Sequence, residues 1–317
     1  MMTMEQPYRF DPVKRFVVPA PAPFLVTEKD LPQHHRILVF LPHSDDGRYF
    51  GSTLYLMNKR NRIKVIIMSP GYHGVDQDLT VEQKIRLRWM EALRWARTLG
   101  LEKNQMVNFR ADQTYNTQHI NDGELDRLRR LIRRESPTMV FIPHLSDTAQ
   151  AINHNARAMV VESLLWWTEK VHKKNPRRYR PVIVVEYPTN HVPILPPSDK
   201  NFVIFFTNPE ATRLRREANL EHRSQSPACF DITEKLVEAL HAISEADTLH
   251  YLHKRRQYAE CISGITVDPR TSRGEHFGVT QMCVKGEPPA VVEQRIVFPL
   301  SAEDKRIWNP KKTPERR

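Results

Sequence analysis

Four consecutive residues, His43-Ser44-Asp45-Asp46, carry the side chains that a hydrolytic metal site needs. A catalytic zinc takes three protein ligands and keeps one position for water, and imidazoles with a carboxylate are a recurrent set. His43 and Asp46 are three residues apart, a spacing at which two side chains on a turn can converge on one ion. Asp45 stands between them, within reach of a proton on bound water. His154 is the candidate for the remaining ligand. The same acidic pair also fits an N-cap ahead of a helix. Spacing alone leaves both readings open.

The elements that must position these residues follow from hydrophobic patterning. Ile37–Leu41 is a short continuous apolar run, as expected of a strand buried on both faces, and it leads directly into Pro42 and His43. A helix over 51–59 and a strand over Val65–Met68 come next. Ile85, Trp89, Ala92, Leu93, Ala96 and Leu99 repeat at spacings of three and four, which predicts an amphipathic helix over Val81–Leu99 capped by Gly100. Further strands are predicted at Met106–Phe109, Met139–Ile142, Val182–Val185 and Phe202–Phe206, with helices over Gly123–Glu135 and from about His154 onward. Trp166 and Trp167 on that last helix read as packing residues.

Strands alternating with amphipathic helices predict an α/β fold, a Rossmann-like, mainly parallel sheet with helices on both faces. Ligands of such sheets bind outside the C-terminal ends of the strands. His43 follows one predicted strand, and His144 with Asp147 follows another, so both loops belong to that end.

Composition narrows the alternatives. The chain has 317 residues, of which 40% are hydrophobic and 27% charged, the make-up of a globular protein. No apolar run is long enough to cross a membrane, and the charged, Pro-containing N-terminus lacks the apolar centre of a signal peptide. A cytoplasmic location is expected. Cys229, Cys261 and Cys283 are widely spaced without a CxxC pair, so a metal must be held by His and carboxylates. The net charge of +11 favours anionic partners, but no recognisable nucleic-acid module accompanies it. Pro-rich residues 1–33 read as an extended arm, 34–265 as the catalytic domain, and 266–317 as an extension ending in a basic tail.

The sequence resembles the LmbE-like, PIG-L-type zinc de-N-acetylases. That family opens on His-Pro-Asp-Asp-Glu and Gly-Gly-Thr-Leu, read here as PHSDDGRYFGSTL after an apolar strand. Its Arg-x-x-Glu on a helix ending Leu-Gly is matched by Arg88 and Glu91 with Leu99-Gly100. Asp112, the segment PTMVFIPH, and Ala218, His222, Ser224 and Gln225 of ANLEHRSQ match later markers in family order. The resemblance implies zinc, or another divalent transition metal, on His43, Asp46 and His154, with Asp45 as the base that activates the metal's water. It implies removal of an N-acyl group, in the first instance acetyl, from a small amino-sugar conjugate. His73, Arg88, Asp147 and His191 are the expected substrate contacts. The oligomeric state stays open, a homo-oligomer included.

Three departures from the family pattern motivate a rival expectation. Gly47 stands where the family has an acidic residue. Ala151 stands where it has the first His of His-Pro-Asp-His, and Asn153 where it has the Asp. His144 is the candidate to replace the missing catalytic His. Failing that, the chain is a catalytically impaired relative that binds a sugar-like or anionic ligand without turnover.

Overall fold

The computed structural model describes residues 24–27, 31–75, 77–144, 150–174, 182–187, 201–206, 208–224 and 273–283. Eight strands form one sheet: β1 (Phe24–Thr27), β2 (Arg36–Leu41), β3 (Arg62–Ile67), β4 (Met106–Asn108), β5 (Met139–Pro143), β6 (Val182–Tyr187), β7 (Asn201–Phe206) and β8 (Arg273–Cys283). Their order across the sheet is β1-β7-β8-β6-β5-β2-β3-β4. The five strands from β4 to β6 in that order are mutually parallel, and β8 runs antiparallel between β6 and β7. The α/β expectation is met. Two strands, β1 and β8, come from outside residues 34–265.

Among the described residues six α-helices accompany the strands: α1 (Gly51–Asn58), α2 (Val81–Thr98), α3 (Asp112–Thr117), α4 (Asp122–Glu135), α5 (Ala151–Lys174) and α6 (Pro209–Asn219). Successive side chains of a strand point to opposite faces, so β2 feeds two cores at once. Ile37, Val39 and Leu41 pack with Leu54 of α1, Trp95 of α2 and Ala218 of α6. Leu38 and Phe40 pack with Leu128 of α4 and Met159 and Leu164 of α5. Trp167 is buried in this second core and Trp166 packs against it, in keeping with their reading as packing residues.

Helix α2 begins at a capping box, with Thr80 accepting from Gln83 N–H and the Gln83 side chain returning to the Thr80 backbone. It ends where Gly100 takes the left-handed conformation, φ +73°. Helix α6 starts from the Asn208 side chain, which accepts from Glu210 N–H, with proline in its first turn. This helix lies on α1 and α2 and presses on the turn that follows β2.

From β2 the chain winds outward through β3 and β4, then returns to the other side of β2 as β5 and β6. The reversal puts the switch point of the strand order between β2 and β5, and open α/β sheets bind ligands at the C-terminal ends of the strands there. Val39 is level with Phe141. Continued along the strands, that register sets Pro42 beside His144.

Candidate active site

The segment after β2 is a tight 3-10 turn, Asp46–Phe50, whose five residues are all buried. Asp45 precedes it but makes no capping hydrogen bond, which removes the N-cap reading of this residue. Asp46 folds back instead, its Oδ2 accepting from the His43 backbone N–H at 2.7 Å. The His43 imidazole Nδ1 lies 3.5 Å from the same oxygen. Burial lowers the His43 pKa, yet the Asp46 and Asp45 carboxylates outweigh it and raise the value above normal. Burial raises the Asp46 pKa against the hydrogen bonds from His43.

Asp45 points the other way, onto the guanidinium of Arg88, in a contact buried from solvent. Burial alone would raise its pKa, but Arg88 and then Arg48 outweigh burial and hold Asp45 ionised far below the usual carboxylate range. Arg88 Nη1 also approaches Glu91 Oε2 at 3.8 Å. Glu91 in turn accepts from the backbone N–H and hydroxyl of Ser224, both at 2.6 Å. Two markers distant in sequence, Arg88/Glu91 and His222/Ser224, thus meet behind Asp45. His222 is fully buried, and neither ring nitrogen has a hydrogen-bond partner among the described residues. Burial, helped by Arg48, holds its pKa well below the ordinary 6.5. The ring is neutral.

Gly47 is explained by its neighbour. A Cβ at this position would lie 2.4 Å from the Trp95 ring, inside van der Waals contact. The Trp95 indole, itself fully buried, occupies the space a larger residue 47 would need.

At the end of β5, His144 Nε2 lies 3.4 Å from Glu186 Oε2. Glu186, wholly buried on β6, also takes Arg157 Nη2 of α5 at 2.7 Å. Gly71, in the left-handed region at φ +64°, turns the chain after β3 and brings Tyr72 and His73 round. His73 is exposed and stacks on the half-buried Tyr115 of α3, and Tyr115 meets the edge of His43 with centroids 6.4 Å apart.

The predicted residues therefore divide. His43, Asp45, Asp46 and Arg88 are gathered at the end of β2, with His144 at the end of the neighbouring β5. His154 is exposed on the first turn of α5, while its neighbour Asn153 is buried. His43 and Asp46 lie side by side, but among the described residues no group of three His, Cys, Asp or Glu side chains could hold a metal. Asp147, His191 and Gln225 lie outside the described residues. Sequence reasoning missed Arg48, Trp95, Tyr115 and Glu186. Only Trp95 left a signal, since Arg88, Glu91 and Trp95 fall at spacings of three and four on the buried side of α2.

Residues 38–165 match the family model PIG-L, described as GlcNAc-PI de-N-acetylase. No curated protein sequence matches the chain. Among solved structures, it is similar to an N,N′-diacetylchitobiose deacetylase from Pyrococcus horikoshii complexed with its inhibitor, at 22% identity over 78% of this chain and 84% of that one, TM-score 0.51. A conserved protein from Thermus thermophilus is 21% identical over 78% of this chain and 95% of that one, TM-score 0.52. The 4-carboxy-2-hydroxymuconate hydratase GalB from Pseudomonas putida is 18% identical over 80% of this chain and 98% of that one, TM-score 0.53. At these identities the likeness is one of fold. No described helix is long and apolar enough to cross a membrane.

Proposed function

Since residues 38–165 are a domain of the PIG-L family, we propose that this chain is a metal-dependent de-N-acetylase acting on a small N-acetylated amino-sugar conjugate. The carrying observation is the placement of His43, Asp45 and Asp46 together at the sheet's switch point, with Asp45 held ionised against Arg88. The family match supports the reaction class.

His43 and Asp46 would hold the cation, zinc in the first instance or another divalent transition metal, with His154 as the third donor. Such a cation polarises the acyl carbonyl and acidifies water at neutral pH. Among the described residues His154 is not grouped with His43 and Asp46, so this ligand set requires the first turn of α5 and the turn after β2 to come together.

Asp45 takes the proton of the attacking water. While two guanidiniums face it, Asp45 is a weak base. Arg88 must first be shared with the substrate, which gives Arg88 its binding role: it leaves the carboxylate for the acyl end of the ligand and frees the base in the same motion. His144 gives a proton to the departing amine, and the Glu186 carboxylate, 3.4 Å from its Nε2, favours the protonated imidazole. His73 contacts the substrate, and Asp147 and His191 belong to the same expected binding set.

A second reading, a relative that binds without turnover, is favoured by the exposure of His154 together with Ala151 and Asn153. The fold itself does not choose, since a hydratase shares it. Acetate release from a panel of N-acetylglucosamine conjugates, with and without added zinc, decides between them. Metal-stimulated release that is lost in His43→Ala supports the enzyme; sugar binding without release supports the second reading.

A further inference from the structure

The net charge of +11 has no part in the chemistry above, and one cavity gathers a share of it. The cavity lies where β2 and β3 begin, a strand length of about 20 Å from the candidate active site at their other ends. Its volume of about 780 Å³ falls in the range of small-molecule pockets. It opens because β4 starts only level with Val65. Residues 62–64 of β3 therefore have no strand on that side among the described residues.

Four cationic side chains, Arg36, Arg62, Lys64 and Arg134, line the cavity against two carboxylates, Glu102 and Glu135. Lys64 Nζ and Arg134 Nε both donate to Glu135 Oε1, at 2.8 and 2.9 Å. Glu102 accepts from the Asn104 amide at 3.1 Å. The neutral wall is engaged as well. Gln105 Nε2 donates to Asn58 Oδ1 and to the Ile63 carbonyl, and Asn58 Nδ2 donates to the Gly100 carbonyl. Asn61 Nδ2 donates to the carbonyls of Pro32 and Met57.

The donors left over belong to Arg36 and Arg62. These two are register partners on adjacent parallel strands, whose spacing is about 4.8 Å. Arg36 Nε donates to the Ser136 carbonyl at 2.7 Å. Its Nη groups, and the whole guanidinium of Arg62, have no partner among the described residues. Like charges side by side on neighbouring strands repel. An anion between them turns that repulsion into attraction.

We infer that this cavity binds a phosphate monoester, its phosphate held between Arg36 and Arg62 and its organic part in the remaining volume. The site is separate from the candidate active site and independent of the reaction assigned to it. A guanidinium presents paired N–H donors that match two phosphate oxygens. A neutral ligand would meet amides that are already bonded. Glu135, held by Lys64 and Arg134, is neutralised and does not oppose the anion.

The test is calorimetric titration of the full chain with glucose 6-phosphate, with glucose as the uncharged control. The variants are Arg62→Gln, Arg36→Gln/Arg62→Gln and a charge-matched control, Arg130→Gln/Arg133→Gln. The control removes two exposed arginines of α4 that do not line the cavity. Thermal melts check that each is folded, and Arg62→Gln breaks no side-chain contact among the described residues. The wild type is expected to bind glucose 6-phosphate and not glucose, more weakly as salt rises. The dissociation constant is expected to rise about tenfold or more in Arg36→Gln/Arg62→Gln and to stay within about twofold in the control. Phosphatidylcholine vesicles with and without phosphatidic acid distinguish the sources of the ester. Sedimentation with phosphatidic acid that is lost in Arg36→Gln/Arg62→Gln supports a lipid headgroup as ligand, and soluble binding alone supports a free metabolite. No binding of either phosphate by the wild type, or equal weakening in both double variants, overturns the site.

Discussion

Arg88, midway along α2, is ion-paired with Asp45 at the end of β2, and both groups are buried. Two consequences follow from one contact. The carboxylate is stable as an anion, and its basicity is suppressed until the guanidinium finds another partner.

Arg88→Met separates these effects by pH. In the wild type the folded pKa of Asp45 lies below its ordinary 3.8, so the stabilisation is present above that value and is lost as pH falls. Without Arg88, burial dominates and the folded pKa rises, so the penalty is fully present at neutral pH and fades as Asp45 protonates. Removing one partner of a buried pair costs about 3–5 kcal/mol. Urea denaturation is expected to report a loss of that order at pH 7.5 and a clearly smaller loss at pH 4. Equal losses at both pH values would refute the pairing.

Gly47 and Trp95 are expected to be coupled. Gly47→Ala puts a methyl group into the Trp95 ring, and overpacking of this kind costs about 1–3 kcal/mol. The same change in a Trp95→Leu background should cost much less. A double-mutant cycle measures the difference, and additivity would contradict the account of Gly47.

His222 predicts acid sensitivity in another window. Its folded pKa is well below the ordinary 6.5, so the unfolded chain binds the proton first as pH drops. Stability is therefore full above about pH 6.5 and declines below it. His222→Leu should flatten the slope of stability between pH 6.5 and 5, as read by thermal melts across that range.

The proposed third ligand predicts a metal-linked change in α5. Zinc addition should slow amide exchange in the first turn of α5 in the wild type but not in His154→Ala, as read by hydrogen–deuterium exchange. Unchanged exchange in both proteins excludes His154 from the metal site.

The sequence was most readable where a signal is local. Strands β2, β5 and β6 are continuous apolar runs because they are covered on both faces, and α2 advertises itself by spacing and by Gly100. Strand β8 was not readable. Its run RGEHFGVTQMC is polar and glycine-containing, and only pairing with β6 and β7 makes it a strand. At the site, His43 through Asp46 were found because they are contiguous. Arg48 and Glu186 look like ordinary surface charges in sequence, and their burial comes from elements far along the chain. The role of Gly47 is equally invisible until Trp95 is seen in the space beside it.

Under the proposed function, Asp45 is the base of a hydrolytic site built on His43 and Asp46. The most direct measurement is acetate release by Asp45→Asn, made alongside its metal content and fold stability. Wild-type metal content is expected, with a rate on an N-acetylglucosamine conjugate reduced by roughly 10²–10⁴, the usual worth of general acid–base catalysis. Release at the wild-type rate by a folded, metal-loaded Asp45→Asn protein would contradict it.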